Sequence, residues 1–127
     1  MIAGHVHDLA SECAARFRTI KSDVVGSLDD CTLSAAAVAA RHRVTPRYVH
    51  KLLESEGATF TRFLTELRLD RAHRMLRDER LLTRTITSIA YDVGFNDLSH
   101  FNRAFRRRYH VTPSDIRAAA GLVATKG

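Results

Sequence analysis

Apolar residues recur along this chain at steps of three and four, the period of helices that bury one face. Leu9, Cys13, Phe17, Ile20, Val24 and Leu28 form the first stripe, which predicts a helix over 3–28 with a break near Phe17. Gly26 and the Asp29-Asp30 pair mark its end. Leu33-Ser34 opens a second helix, where Ser34 can accept from a first-turn amide and Leu33 can pack back onto Val38. Thr45-Pro46 supplies the cap and first position of a third helix, which points Val49, Leu52 and Leu53 inward and stops at Gly57. A long helix is predicted over 59–78, with Phe60, Phe63, Leu64, Leu67, Ala72, Met75 and Leu76 as its stripe. At the usual helical rise it measures roughly 28 Å. Residues 80–85 read as a loop, and Ile86-Thr87 opens the next helix with Thr87 as its cap. A turn at Gly94-Phe95 leads into a helix that turns Phe101 and Phe105 inward. Thr112-Pro113 caps a last short helix to about Ala120, Gly121 ends it, and residues 121–127 are expected to form a flexible tail.

The pattern repeats. Val38-Ala39 and Val44 answer Ile89-Ala90 and Phe95 at an offset of 51, and Val49 and Leu53 answer Phe101 and Phe105 at 52. Leu33-Ser34 is matched with Ile86-Thr87. Each copy places apolar side chains where a helix-turn-helix needs them to fix two helices at a steep angle. The predicted fold is therefore all-α: two helix-turn-helix subdomains (32–58 and 85–120) joined by the long helix 59–78. A helical segment over 1–31 precedes them as a linker or dimerisation element.

Charge sharpens this reading. The chain carries 20 Lys and Arg against 14 Asp and Glu. Residues 1–31 hold three basic and five acidic side chains, whereas residues 32–127 hold 17 and nine. The positive field thus belongs to the repeated part, and it favours polyanions or acidic membrane surfaces. Cys13 and Cys31 form no CxxC and follow no secretory signal, so a reducing compartment is expected. No apolar run approaches the length needed to span a bilayer. His5 and His7 fall on different helix faces with no third ligand nearby, so no metal and no cofactor is expected.

The spaced residues Ile89-Ala90, Gly94-Phe95, Phe101, Arg103, Phe105 and Pro113 resemble the DNA-binding domain of the AraC/XylS family of bacterial transcription regulators. Thr112-Pro113-Ser114 with Ile116-Arg117, and in the first copy Leu33-Ser34, Ala39 and Thr45-Pro46-Arg47-Tyr48, extend the match to about residues 32–120. The resemblance implies two recognition helices in successive major grooves. It places Arg47, His50 and Lys51 of the first, and Leu98, Ser99, Asn102 and Arg103 of the second, against base edges. It further implies double-stranded DNA and RNA polymerase as partners, a role as activator, and a bacterial cytoplasmic location at the nucleoid. A homodimer, or an effector-binding domain ahead of this part, is left open. Three positions depart from the family pattern. Arg43 and His110 stand where glycine is usual, at roughly 1 kcal/mol each if those backbones are left-handed. Leu98 replaces a polar residue, so it can meet a thymine methyl but cannot donate a hydrogen bond.

The residue chemistry agrees with this reading. A guanidinium at Arg103 can donate two parallel bonds to guanine O6 and N7, and Asn102 can pair an adenine edge. Arg106 and Arg107, with Thr45 and Thr87, suit phosphate oxygens, which give affinity without sequence preference. Phe95, Phe101 and Phe105 lie on the inner stripe, which argues against a single-strand binder with exposed stacking aromatics. An enzyme is not expected: there is no nucleophile elbow, carboxylate cluster or phosphate loop. The alternative reading is a basic helical module that binds an acidic protein.

Overall fold

The computed structural model describes the backbone of residues 2–126 and the side chains of residues 11–122. Seven α-helices and one short 3-10 turn make up the described residues, with no strand among them. They are α1 (Ile2–Gly26), α2 (Ala35–Arg41), α3 (Pro46–Glu54), α4 (Phe60–Arg77), the turn Glu79–Leu81, α5 (Ile86–Asp92), α6 (Leu98–Tyr109) and α7 (Pro113–Lys126). They divide into two compact units, one of Met1–Ser27 and Thr32–Leu64, the other of Leu28–Cys31 and Thr65–Gly127.

In the first unit α1 packs against both α2 and α3. Ile20 and Val24 of α1 are buried, as are Val38 and Ala39 of α2 and Val49, Leu52 and Leu53 of α3. Phe17 meets Phe63 with ring centroids 5.9 Å apart. The later half of α1 is therefore the third helix that a helix pair needs to bury its apolar faces, rather than a segment apart from it. No break occurs at Phe17, because the stripe through Phe17, Ile20 and Val24 keeps its helical period across that point.

In the second unit the core is aromatic. Leu69, Ala72 and Leu76 of α4 join Ile89, Ala90, Val93, Phe95, Phe101 and Phe105, with Met75, Ile86, Leu98, Ala104, Tyr109 and Ile116 packed around them. Phe95 meets Phe101 edge to face at a centroid distance of 5.1 Å, and Phe101 meets Phe105 at a tilt at 5.7 Å. Each buried phenyl ring contributes roughly 1.5–3 kcal/mol. Leu69 joins Leu64 and Leu76 as a buried leucine of α4, whereas Leu67, expected on the stripe, is only half-buried.

The two turns share their hydrogen bonds. Val44 N donates to Ala39 O at 3.0 Å, and Phe95 N donates to Ala90 O at 3.0 Å. His42 N to Val38 O and Val93 N to Ile89 O are both 3.1 Å. Each turn has one residue with positive φ, Arg43 at 55° and Gly94 at 109°. The caps extend the match: Ser34 accepts from Ala37 N, and Thr85 accepts from Ser88 N. Thr85, not Thr87, is therefore the cap of α5, and it restores the offset of 51 to the start of the repeat. The extra residue of the second copy is Asn96, which falls between the turn and Asp97, the cap of α6.

The chain end also differs from expectation. α7 continues through Gly121 to Lys126. Glycine stops a helix where its φ turns positive, and only Gly57 and Gly94 do so among the described glycines. Before α5, Asp78 caps the short turn by accepting from Arg80 N at 2.9 Å. Arg117 Nη1 then donates to Leu82 O and Arg84 O, at 2.9 and 2.6 Å, and fixes the chain that enters Thr85.

Candidate nucleic-acid interface

The hydrophobic pattern of α3 and α6 decides which side chains are left outside. In α6, Phe101 and Phe105 are fully buried. A helix that buries those positions turns Ser99, Arg103 and Arg107 to the opposite ridge, with Asn102 and Arg106 beside it. All five are exposed. In α3, burial of Val49 and Leu53 likewise turns Arg47, Lys51 and Glu54 outward, with His50 beside them, and all four are exposed. At the offset of 52, Arg47 answers Ser99, His50 answers Asn102, Lys51 answers Arg103 and Glu54 answers Arg106. The sequence-predicted readers thus form one matching ridge in each unit.

Leu98 stands apart from that ridge. It is half-buried and packs on the aromatic core. Thr45 is exposed but its hydroxyl accepts from Tyr48 N at 3.1 Å as the cap of α3. Thr87 is exposed on α5. His5 and His7 lie outside the residues whose side chains are described. Among the described residues no group of three or more His, Cys, Asp or Glu could hold a metal ion, and Cys13 and Cys31 are free and exposed.

Two groups of cations stand out. One set is used up within the fold. Arg68 donates to Leu28 O and Asp30 O at 3.0 and 2.7 Å, and Arg117 holds two loop carbonyls. Arg41 pairs with Asp23 at 3.3 Å, beside a His42–Asp23 bond of 2.7 Å. Arg84 bonds Asp92 and Ser88. Arg108 chelates Asp70, its Nε 3.1 Å from Oδ1 and its Nη2 3.2 Å from Oδ2. A second set, Arg47, Lys51, Arg103 and Arg107, is exposed and makes no ion pair or side-chain hydrogen bond among the described residues. Uncompensated cations on an exposed ridge are what a phosphate backbone attracts.

Several supports of α6 left little trace in the sequence. Asp97 caps it, its Oδ1 accepting from Ser99 N at 2.9 Å and His100 N at 3.3 Å. At its far end Tyr109 donates to Asp70 Oδ1 at 2.5 Å. Burial, then this bond, pushes the Tyr109 hydroxyl up to about 12. His73 lies tilted against Tyr109 with centroids 4.4 Å apart, and burial holds its imidazole below the ordinary value. His110 then leaves the helix at φ 62°, the left-handed conformation that glycine would adopt more cheaply. Thr112 and Asp115 cap each other to start α7, at 3.0 and 3.1 Å.

A pair of helices joined by this turn, twice over, with an exposed basic ridge on each second helix, defines a helix-turn-helix protein. Residues 38–119 match the helix-turn-helix domain family model. The chain belongs to that family, in its AraC/XylS branch of DNA-binding transcription regulators. It is 45% identical over 105 residues to the transcriptional activator RhrA of Rhizobium meliloti, a match covering 83% of this chain and 33% of that protein. It is 39% identical over 82 residues to the HTH-type transcriptional activator RhaS of Escherichia coli, covering 64% of this chain and 28% of RhaS. The chain thus spans about a third of the length of these curated relatives. Among solved structures it is similar to the C-terminal domain of AraT, a response regulator from Geobacillus stearothermophilus, with a TM-score of 0.70 and 26% identity over 80% of this chain and 83% of that one. An AraC-type regulator from Chromobacterium violaceum shares the fold, with a TM-score of 0.68 and 24% identity over 84% of this chain and 96% of that one.

Proposed function

We propose that α3 and α6 enter successive major grooves of one duplex, and that transcription is regulated from that site. The observation that carries this reading is the matched ridge, Arg47, His50 and Lys51 against Ser99, Asn102 and Arg103, set behind two turns with the same hydrogen bonds. Arg103 and Lys51 donate to guanine, Asn102 and His50 meet adenine or a neighbouring edge, and Arg47 and Ser99 reach the flanking bases. Leu98 offers its exposed part to a thymine methyl. Arg106, Arg107, Thr45 and Thr87 contact phosphates, which set register and salt dependence.

The same reading makes the protein an activator that works on bacterial nucleoid DNA and meets RNA polymerase there. Pairing of two copies, or an effector-binding domain in the same polypeptide, is a further part of it. Selection of bound sequences from a random duplex library, followed by footprinting, tests the proposal. Two protected major-groove patches about one helical turn apart are expected. Protection confined to one groove would sink the two-site version.

A further inference from the structure

We propose that Asp70 is a positioning residue for DNA reading: it holds Arg108 away from the phosphates and locks the far end of the recognition helix α6 to α4. This rests on the DNA-reading role proposed above.

All three consecutive arginines at 106–108 are exposed, but of the three only Arg108 makes a side-chain hydrogen bond among the described residues. Asp70 Oδ1 and Oδ2 accept its Nε and Nη2, and Glu66 Oε1 lies 3.6 Å from its Nη1. The same Asp70 Oδ1 accepts the Tyr109 hydroxyl at 2.5 Å. One carboxylate on α4 therefore grips two successive residues in the last turn of α6. His73, one turn further along α4, lies against the Tyr109 ring, and Arg108 lies over that ring at 5.6 Å.

Two consequences follow from this geometry. A bidentate carboxylate–guanidinium pair fixes orientation as well as distance. Held at its last turn, α6 cannot roll about its axis, so Asn102 and Arg103 keep their aim. The grip also compensates the charge of an exposed cation next to Arg107. A free arginine there would add affinity for any duplex, which dilutes specificity. Asp70 thus raises the ratio of specific to non-specific binding through two separate effects.

The experiment compares the wild-type chain with Asp70→Asn, Arg108→Gln and the double variant, on a selected duplex and a scrambled one, across a salt series. Asp70→Asn keeps the shape but releases Arg108. It should lower the specific-to-scrambled ratio several-fold, and steepen the log–log salt slope on scrambled DNA by about 0.9, the increment for one more phosphate contact. Arg108→Gln should lower the ratio without changing that slope, and the double variant should behave like Arg108→Gln. Amide exchange provides a reading that needs no DNA: Asp70→Asn should speed exchange in the last turn of α6 relative to α5. A wild-type ratio and slope in Asp70→Asn would overturn the proposal. If that variant does not fold, Arg108→Gln decides alone, since a slope shallower by one phosphate would make Arg108 a DNA contact. A wild-type chain that binds neither duplex would instead reject the DNA-reading role, with the exchange result still deciding whether Asp70 anchors α6.

Discussion

A Cβ added to Gly94 would lie 2.0 Å from the carbonyl oxygen of Leu28. That oxygen cannot give way, because Arg68 Nε holds it at 3.0 Å and the same guanidinium holds Asp30 O. Gly94 also sits at φ 109°, where any side chain is strained. The second turn therefore needs glycine twice, for conformation and for space. Gly94→Ala should destabilise the protein by about 3 kcal/mol or more, read from urea unfolding. The equivalent residue of the first turn is Arg43, at φ 55° in the ordinary left-handed region. Here glycine is only preferred, so Arg43→Gly should raise stability by about 0.5–1 kcal/mol. Equal effects of the two substitutions in the same direction would refute this division of roles.

Thr85 caps α5 by accepting Ser88 N at 3.0 Å, whereas Thr87 is an exposed residue inside the helix. Loss of a cap hydroxyl typically costs about 1 kcal/mol. Thr85→Ala should therefore lower the urea midpoint by that equivalent, and Thr87→Ala should leave it nearly unchanged.

How far the sequence reveals the molecule depends on the kind of interaction. Local signals read through well: Ser34, Thr45 and Thr112 all cap helices as expected, and both glycine-like positions, Arg43 and His110, have positive φ. The inner stripe of α6 leaves little choice, so its outer ridge was legible too. What stayed hidden depends on partners remote in the chain. Asp70 lies 38 residues from Arg108, and no spacing rule links them. The start of α5 was misplaced because Thr85 and Thr87 are chemically equivalent caps. Only the register of the repeat, with Thr85 at the offset of Ser34, separates them. Gly121 was misread because glycine signals a stop only through its backbone angle, which composition does not carry.

Stability should depend on pH through His73. Burial, with the charge of Arg77 adding to it, holds the folded imidazole below its ordinary value. The unfolded chain then takes up this proton more readily than the folded one. The contribution is fully present above the unfolded pKa, about 6.5, and is lost as pH falls through the lower folded value. The ring lies tilted against Tyr109 at 4.4 Å and stacked on Phe105 at 6.0 Å, so His73→Phe keeps an aromatic ring in the same place without a proton to bind. Between pH 7 and pH 5 the urea midpoint of His73→Phe should fall less than that of the wild type. Parallel declines would remove His73 from the account.

Arg103 and Arg107 lie one turn apart on the exposed side of α6, and neither has an ion pair or side-chain hydrogen bond among the described residues. They should nevertheless behave differently. The two share one face of α6, but Arg107 lies a full turn nearer its C-terminal end, and recognition helices reach base edges with their N-terminal residues. A bidentate contact to guanine is worth about 1–3 kcal/mol of discrimination, whereas a phosphate contact is indifferent to sequence. Arg103→Ala should therefore relax preference at a single base-pair position in a selection experiment. Arg107→Ala should weaken every duplex alike and reduce the salt slope by about 0.9. If Arg103→Ala also weakens all sequences equally, with the same change of slope, Arg103 is a phosphate contact and the reading of bases falls to Asn102 and Ser99.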